Sequence, residues 1–467
     1  MAETKGNDAA DGRPPIAWSE GADPFAYVPG RALARGKEAA ERFSSIVAST
    51  GGPIRLLDRD EPEHEAWFLI GFDDKALVED DDETRENRVE TLAAIRLARA
   101  GGDEVQPDHV FFAHGCDECC CAPHPSLTFD AILADPYQAN PHRANPHRAN
   151  PHRANPHRAN PHRANPHRAN PQTSSAIPAA RRAFPEVELN GSGSHPRIRV
   201  LDTGLAEGAQ LPALLGGSAS SSLISGEVDQ PDSDLVDTTN TTIVKDGWLD
   251  PVAGHGTFIT GLIEQLAPGC EIRVEHVISG LGDVIESELF PRLSAILDLP
   301  PKQLPDILSL SFGGTAMDDA PALQTAIAKL RHAGIVVVAS AGNDGSSQPQ
   351  FPAAYEGVVA VGALGPDGPV PWTNYGEWVD ACAPGADLVS AFFADFDGPE
   401  PRVNTFDPDR FEGWAIWSGT SFAAPVVVSA LAREMVLGGC KASDAVARVL
   451  YGPAALHIRC LGTVVTV

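Results

Sequence analysis

Four short stretches of this chain carry residue types that together could break an amide bond. Asp202 stands in Asp202-Thr-Gly204, His255 in Gly254-His-Gly-Thr257, Asn343 in Ser340-Ala-Gly-Asn343 and Ser421 in Ser418-Gly-Thr-Ser421. A serine hydroxyl is a poor nucleophile at neutral pH until a base takes its proton. An imidazole serves as that base when a carboxylate fixes its tautomer and steadies the imidazolium that forms. The tetrahedral intermediate then needs donors aimed at its oxyanion. An asparagine amide and the nucleophile's own N–H can supply them, and losing one such donor costs about 3–4 kcal/mol of barrier.

These groups lie far apart along the chain, so a fold must gather them. The segment 172–467 alternates short β-branched runs at 198–201, 272–277, 307–311, 335–339 and 358–361 with helical patterns near 257–266, 284–299, 320–333 and 421–437. That alternation predicts an α/β fold, a parallel sheet covered by helices on both faces. In such sheets the working groups collect at the carboxyl ends of strands and at helix starts, which is where all four motifs fall.

In content and in chain order these motifs resemble the subtilisin-like serine proteases. The likeness covers most of 195–450: Asp202-Thr-Gly, His255-Gly-Thr, Ser309-Leu-Ser-Phe-Gly-Gly314, Ala341-Gly-Asn343, Phe351-Pro-Ala353 with Val358-Val-Ala-Val-Gly362, Ala383-Pro-Gly385 and Gly419-Thr-Ser-Phe-Ala-Ala-Pro425. The resemblance implies a serine endopeptidase acting on peptide or protein substrates, with Ser421 as nucleophile, His255 as base, Asp202 as the orienting carboxylate and Asn343 as oxyanion donor. It also implies that Ser311, Phe312 and Gly313 pair with the substrate backbone, the substrate adding as a strand. It implies no required cofactor. Calcium is common in the family, but no site carries over to named residues, and the acidic stretches Asp229–Asp237 and Asp395–Asp409 read as solvated loops. Two positions depart from the family pattern, Phe258 three residues after the histidine and Phe422 after the serine. Both are predicted to alter packing and leave the chemistry intact.

Residues 24–113 show the order β-α-β-β-α-β: strands at 25–33, 53–57, 66–72 and 109–113, helices at 37–47 and 84–100, with Thr84 as a candidate cap. This is a small α+β, split βαβ unit. It resembles the inhibitory, folding-assisting propeptide of subtilases. The expectation is a zymogen that cuts itself and carries its own propeptide as an intramolecular inhibitor.

The rest of the chain reads as connection. Residues 1–23 are predicted to be disordered, 114–140 form a Cys-rich tail, and 141–171 form a linker. Within the linker, Pro-His-Arg-Ala-Asn recurs six times without change from Pro141 to Asn170. A period of five suits neither helix nor strand, and the recurring proline removes amide donors. Thirty extended residues at ~3.1 Å each reach on the order of 90 Å. The histidines of the repeat fall on different sides of any regular helix, so no metal cage is implied. Cys116, Cys119, Cys120 and Cys121, with His114 or His124, have zinc-like spacing without a second cysteine pair. Cys440 and Cys460 could pair under oxidising conditions.

The formal net charge is −28, from 35 basic and 63 acidic residues. That argues against nucleic acid as a partner, because binding it needs clustered positive charge. No run approaches the ~20 apolar residues of a membrane span. The polar, acidic start is unlike a secretory signal, so the expected location is cytoplasmic, with export by another route left open. Two other classes compete with the endopeptidase reading. A catalytically idle peptide binder is opposed by the complete set of four residues. A metal-storage or metal-sensing protein would rest on the cysteines and the histidine repeats.

Overall fold

The computed structural model describes residues 14–20, 23–49, 54–56, 67–74, 90–113, 195–206, 223–230, 236–237, 243–244, 250, 252–393, 396–397, 410–411 and 413–467. The Cys116–Cys121 cluster, the linker repeats and Thr84 lie outside the described residues.

The larger body is built on a parallel sheet. Its strands run in the order Ile224–Gly226, Glu271–His276, Arg197–Asp202, Ile307–Leu310, Val336–Ser340, Val359–Gly365, Ala381–Pro384 and Gly462–Val464, with Leu456–Ile458 antiparallel at the far edge. Strands buried on both faces read as nearly continuous apolar runs, and Val-Val-Val-Ala-Ser at 336–340 is one of them. Successive residues serve opposite faces. Val337 joins the core under helices Glu286–Leu297 and Pro321–His332, while Val338 joins the core under His255–Leu266 and Thr420–Gly438.

Chain order reverses at the Arg197–Asp202 strand. From it the chain passes through the His255–Leu266 helix to Glu271–His276 on one side, then returns to Ile307–Leu310 on the other. Such a reversal opens a crevice at the carboxyl end of the central strand. Asp202 is the last residue of that strand. The Thr420–Gly438 helix is long and apolar enough to cross a membrane by length and composition alone, but every residue from Thr420 to Ala432 is buried in the protein core.

The smaller body packs helices Lys37–Ser49 and Thr91–Ala100 on one face of an antiparallel sheet. The sheet runs Ile54–Leu56, Trp67–Phe72, Ala26–Arg35, Val105–Ala113. Phe43, Val47, Ile95 and Ala98 from the helices meet Ala32, Ala34, Ile70 and Val105 from the strands. The second helix begins at Thr91 and not at Thr84, because Glu90 before it is extended. Thr91 itself organises that start: its N–H donates to Asp74 at 2.6 Å, and its hydroxyl accepts the N–H of Gly30 at 2.8 Å. Ala17–Trp18, inside the stretch predicted to lack order, forms a strand against Tyr27 and Ala26, and Trp18 stacks on Phe112 at 5.6 Å.

The sheet of the smaller body continues into the larger one. Val110, Phe111 and Phe112 stand opposite Ile285, Val284 and Asp283, and on the other side Phe112 and Ala113 stand opposite Gly313 and Phe312. The chain ends in a helix, Ala442–Tyr451, followed by the Leu456–Ile458 and Gly462–Val464 hairpin. None of these three elements is delimited by the motifs and patterns of the sequence. Cys440 and Cys460 are both free thiols.

Candidate active site

The carboxylate and the imidazole are joined. Nδ1 of His255 lies 2.8 Å from Oδ1 of Asp202, and both side chains are fully buried. The same oxygen accepts the N–H of Thr203 at 2.8 Å. A hydrogen bond from Nδ1 places the lone pair of the neutral ring on Nε2. That atom has no hydrogen-bond partner among the described residues. His255 is the first residue of its helix, and Gly254 before it has φ 81°. A Cβ at Gly254 would sit 2.2 Å from the Phe392 ring, so glycine is required there on two counts.

Ser421 occupies the first turn of the Thr420–Gly438 helix. Its Oγ donates to the Ser311 carbonyl at 3.2 Å, and the Ser311 hydroxyl donates back to the Ser421 carbonyl at 3.1 Å. Pro425 makes the second contact possible. It lacks the N–H that would otherwise claim the Ser421 carbonyl four residues earlier. The hydroxyl of Ser421 is therefore turned to Ser311 in this arrangement and is not bonded to His255.

The two departures from the family pattern, Phe258 and Phe422, pack on each other, and Phe422 reaches the histidine. Phe422 packs on the His255 ring at 5.2 Å and on Phe258 at 4.6 Å, and Trp417 meets the imidazole edge-on at 5.6 Å. Phe258 and Phe422 are both fully buried. Asn343 is held from behind: its Oδ1 accepts the Thr420 N–H and the Thr420 hydroxyl, each at 2.9 Å. Those two bonds fix which end of the amide is oxygen and turn its N–H groups the other way. Ser311, Phe312 and Gly313 border the site, and all three are buried. Phe312 and Gly313 are already paired with Ala113 and Phe112.

The profile of the Subtilase family matches residues 193–436. The chain belongs to the subtilase family. The thermophilic serine proteinase of Bacillus sp. (strain AK1) is 32% identical over 184 residues, which is 37% of this subtilase and 40% of that protein. Subtilisin DY of Bacillus licheniformis is 26% identical over 262 residues, 53% of this chain and 79% of its own. The solved structure of a cold adapted subtilisin-like serine proteinase aligns over 60% of this chain and 91% of that one, with a TM-score of 0.43 and 21% identity.

The smaller body of this subtilase grips two helix starts. Ile285 and Ala320, which precede helices Glu286–Leu297 and Pro321–His332, offer no side-chain cap. Asp108 supplies one from across the boundary, taking the Ser287 N–H at 2.9 Å and its hydroxyl at 2.7 Å. Gln106 takes the Ala322 N–H at 2.9 Å. Each such cap is worth ~1 kcal/mol. Between them lies Glu286, fully buried, which accepts from Gln106 at 2.8 Å, from Leu323 N–H at 3.0 Å and from His109 Nδ1 at 2.7 Å. Nε2 of His109 accepts the Met317 N–H at 3.0 Å, so the proton of the neutral ring is on Nδ1. Burial, then the nearby Glu286 charge, pushes the Asp108 carboxyl up to about 6 against the Ser287 hydrogen bonds.

Asp229 corrects the reading of its stretch as a solvated loop, since it is only 2% exposed. Its Oδ2 accepts the Thr203 hydroxyl at 2.6 Å and the Gly254 N–H at 2.7 Å. Burial above all, with the Asp202 and Asp250 charges, raises its pKa well above the ordinary range. Both donors are aimed at that one oxygen. Among the described residues no group of three or more His, Cys, Asp or Glu side chains gathers to hold a metal. Residues Gln106, Asp108, Asp229 and Thr420 all escaped sequence reasoning. The capless helix starts at Ile285 and Ala320 were the one signal that could have pointed to Gln106 and Asp108.

Proposed function

We propose that this subtilase is a serine endopeptidase made as a self-processing zymogen, with Ser421, His255 and Asp202 as its triad and residues 24–113 as its inhibitory propeptide. The observation that carries the reading is the 2.8 Å bond from His255 Nδ1 to Asp202, which leaves Nε2 open as a proton acceptor beside the helix start that bears Ser421. Ser421 Oγ turns about its Cα–Cβ bond from the Ser311 carbonyl toward Nε2. As its proton passes to the imidazole, Oγ bonds to the substrate carbonyl carbon, and the carbonyl electron pair moves onto oxygen. The N–H groups of Asn343 and Ser421 receive that oxyanion. Imidazolium then protonates the departing amine as the C–N bond breaks. Water, deprotonated by the same ring, releases the acyl group and restores the serine.

The propeptide reading is supported by the strand Val105–Ala113, which adds to Phe312–Gly313 in the way an extended peptide substrate would. The Gln106 and Asp108 caps hold that strand in place. The test is the Ser421→Ala chain. Wild type incubated alone should shorten at a site after residue 113, and the variant should stay full length. Equal persistence of both overturns self-processing.

A further inference from the structure

We propose that Asp229 is a positioning residue of the triad, a carboxylate that ties the turn bearing Asp202 to the helix start bearing His255. The inference rests on the endopeptidase reading above and concerns what keeps its two fixed members in register. Asp229 ends the short Val228–Asp229 strand, which runs parallel to Leu205–Ala206 just beyond the Asp202 turn. Its single oxygen Oδ2 bonds both sides of the gap, the Thr203 hydroxyl at 2.6 Å and the Gly254 N–H at 2.7 Å. The Thr203 oxygen in turn accepts the Gly256 N–H at 3.0 Å, and the Thr203 N–H donates to Asp202 at 2.8 Å. The His255–Asp202 bond, 2.8 Å, completes the ring.

The residues on both sides of His255 are thus tied to Asp229 and to Thr203, the residue after Asp202. No chain connection nearer than 53 positions links Asp202 to His255. Two further contacts show how little slack the junction has. A Cβ on Gly256 would stand 2.4 Å from the Gly204 carbonyl, and one on Gly204 would stand 2.7 Å from the Glu227 carbonyl. Burying a carboxylate beside Asp202 is costly, and a site that bears the cost without using it for packing points to a function for its hydrogen bonds. A displacement of about 1 Å between reacting groups costs on the order of a hundredfold in rate.

The test uses chains incubated until cutting after residue 113 is complete, an apolar tetrapeptide p-nitroanilide and a fluorophosphonate that labels the active serine. Asp229→Ala should lower kcat about a hundredfold with KM within about twofold, and slow Ser421 labelling to match. Asp229→Asn keeps an acceptor carbonyl for both donors, so it should recover most of the lost rate. Should Asp229→Ala fail to fold, Thr203→Val and Thr203→Ser decide in its place, with valine slow and serine near wild type. Wild-type rates in Asp229→Ala or Thr203→Val overturn the proposal, as does an asparagine variant no faster than alanine. A wild-type chain that neither cleaves the anilide nor takes the label is a different result. It overturns the endopeptidase reading, and the inference falls with it.

Discussion

Ala113 stands opposite Phe312 in an antiparallel ladder, and its N–H donates to the Gly282 carbonyl at 2.9 Å on the other side. The end of the smaller body is therefore a strand clamped between two strands of the larger one. It occupies the edge that the substrate backbone is proposed to use. Access by another peptide requires this strand to leave.

The residue before the clamp's last pair should dominate its strength. Phe111 is fully buried among Leu289, Leu310 and Phe312. Phe111→Ala, made in the Ser421→Ala background to prevent cutting, should lower unfolding stability by about 3–5 kcal/mol in urea melts. A loss under about 1 kcal/mol would mean that the strand contributes little to holding the bodies together.

Asp108 gives the docking a definite pH dependence. Its carboxyl titrates at about 6 in the docked form, above its ordinary 3.8. A raised carboxyl stabilises the form that keeps the proton. The contribution is complete below pH 3.8 and is lost as pH rises through about 6. Two units correspond to ~3 kcal/mol at most. Against Asp108→Asn, which keeps an acceptor and does not titrate, the wild type should lose ~2–3 kcal/mol of relative stability between about pH 4 and pH 7. Urea melts of both proteins across that range check it, and a pH-independent difference would contradict the assignment.

How legible all this was in the sequence depended on distance along the chain. The Val336–Ser340 strand and the Thr420–Gly438 helix could be read locally, because a buried parallel strand and a buried helix must be apolar almost throughout. The placement of the four motif residues could be read because each sits at a strand or helix end within a short pattern. Asp229 could not. Alone in an acidic stretch it looks solvated, and only the fold brings Thr203 and Gly254 to it from 26 and 25 positions away. Asp108 and Gln106 were hidden for the same reason, since the helix starts they cap lie 179 and 216 positions off. The start of the Thr91–Ala100 helix is hidden in the sequence because the carboxylate that receives its first N–H, Asp74, lies 17 positions earlier.

Gly254 offers a sharp steric test. Its φ of 81° disfavours any side chain, and a Cβ would meet the Phe392 ring at 2.2 Å. Gly254→Ala should cost about 2–4 kcal/mol of stability from backbone strain and overpacking together. It should also slow anilide hydrolysis, since the adjoining residue is His255. A variant with wild-type stability and rate would show that the turn is looser than this geometry requires.

Removing the Ser311 hydroxyl probes what holds the helix start that bears the nucleophile. Ser311→Ala deletes the 3.1 Å bond to the Ser421 carbonyl and leaves that buried acceptor without the bond. The expected loss of stability is ~1–3 kcal/mol by calorimetry, with the Ser421 hydroxyl still able to reach the Ser311 backbone carbonyl. No change in melting would mean that this pair does not hold the helix start.

The most direct measurement is mass spectrometry of the chain after reaction with a fluorophosphonate. The account predicts one label per chain once processing has occurred, on the peptide containing Ser421, and almost none in His255→Ala. An unlabelled wild type, or equal labelling of both proteins, would contradict the claim that His255 and Asp202 make Ser421 a nucleophile.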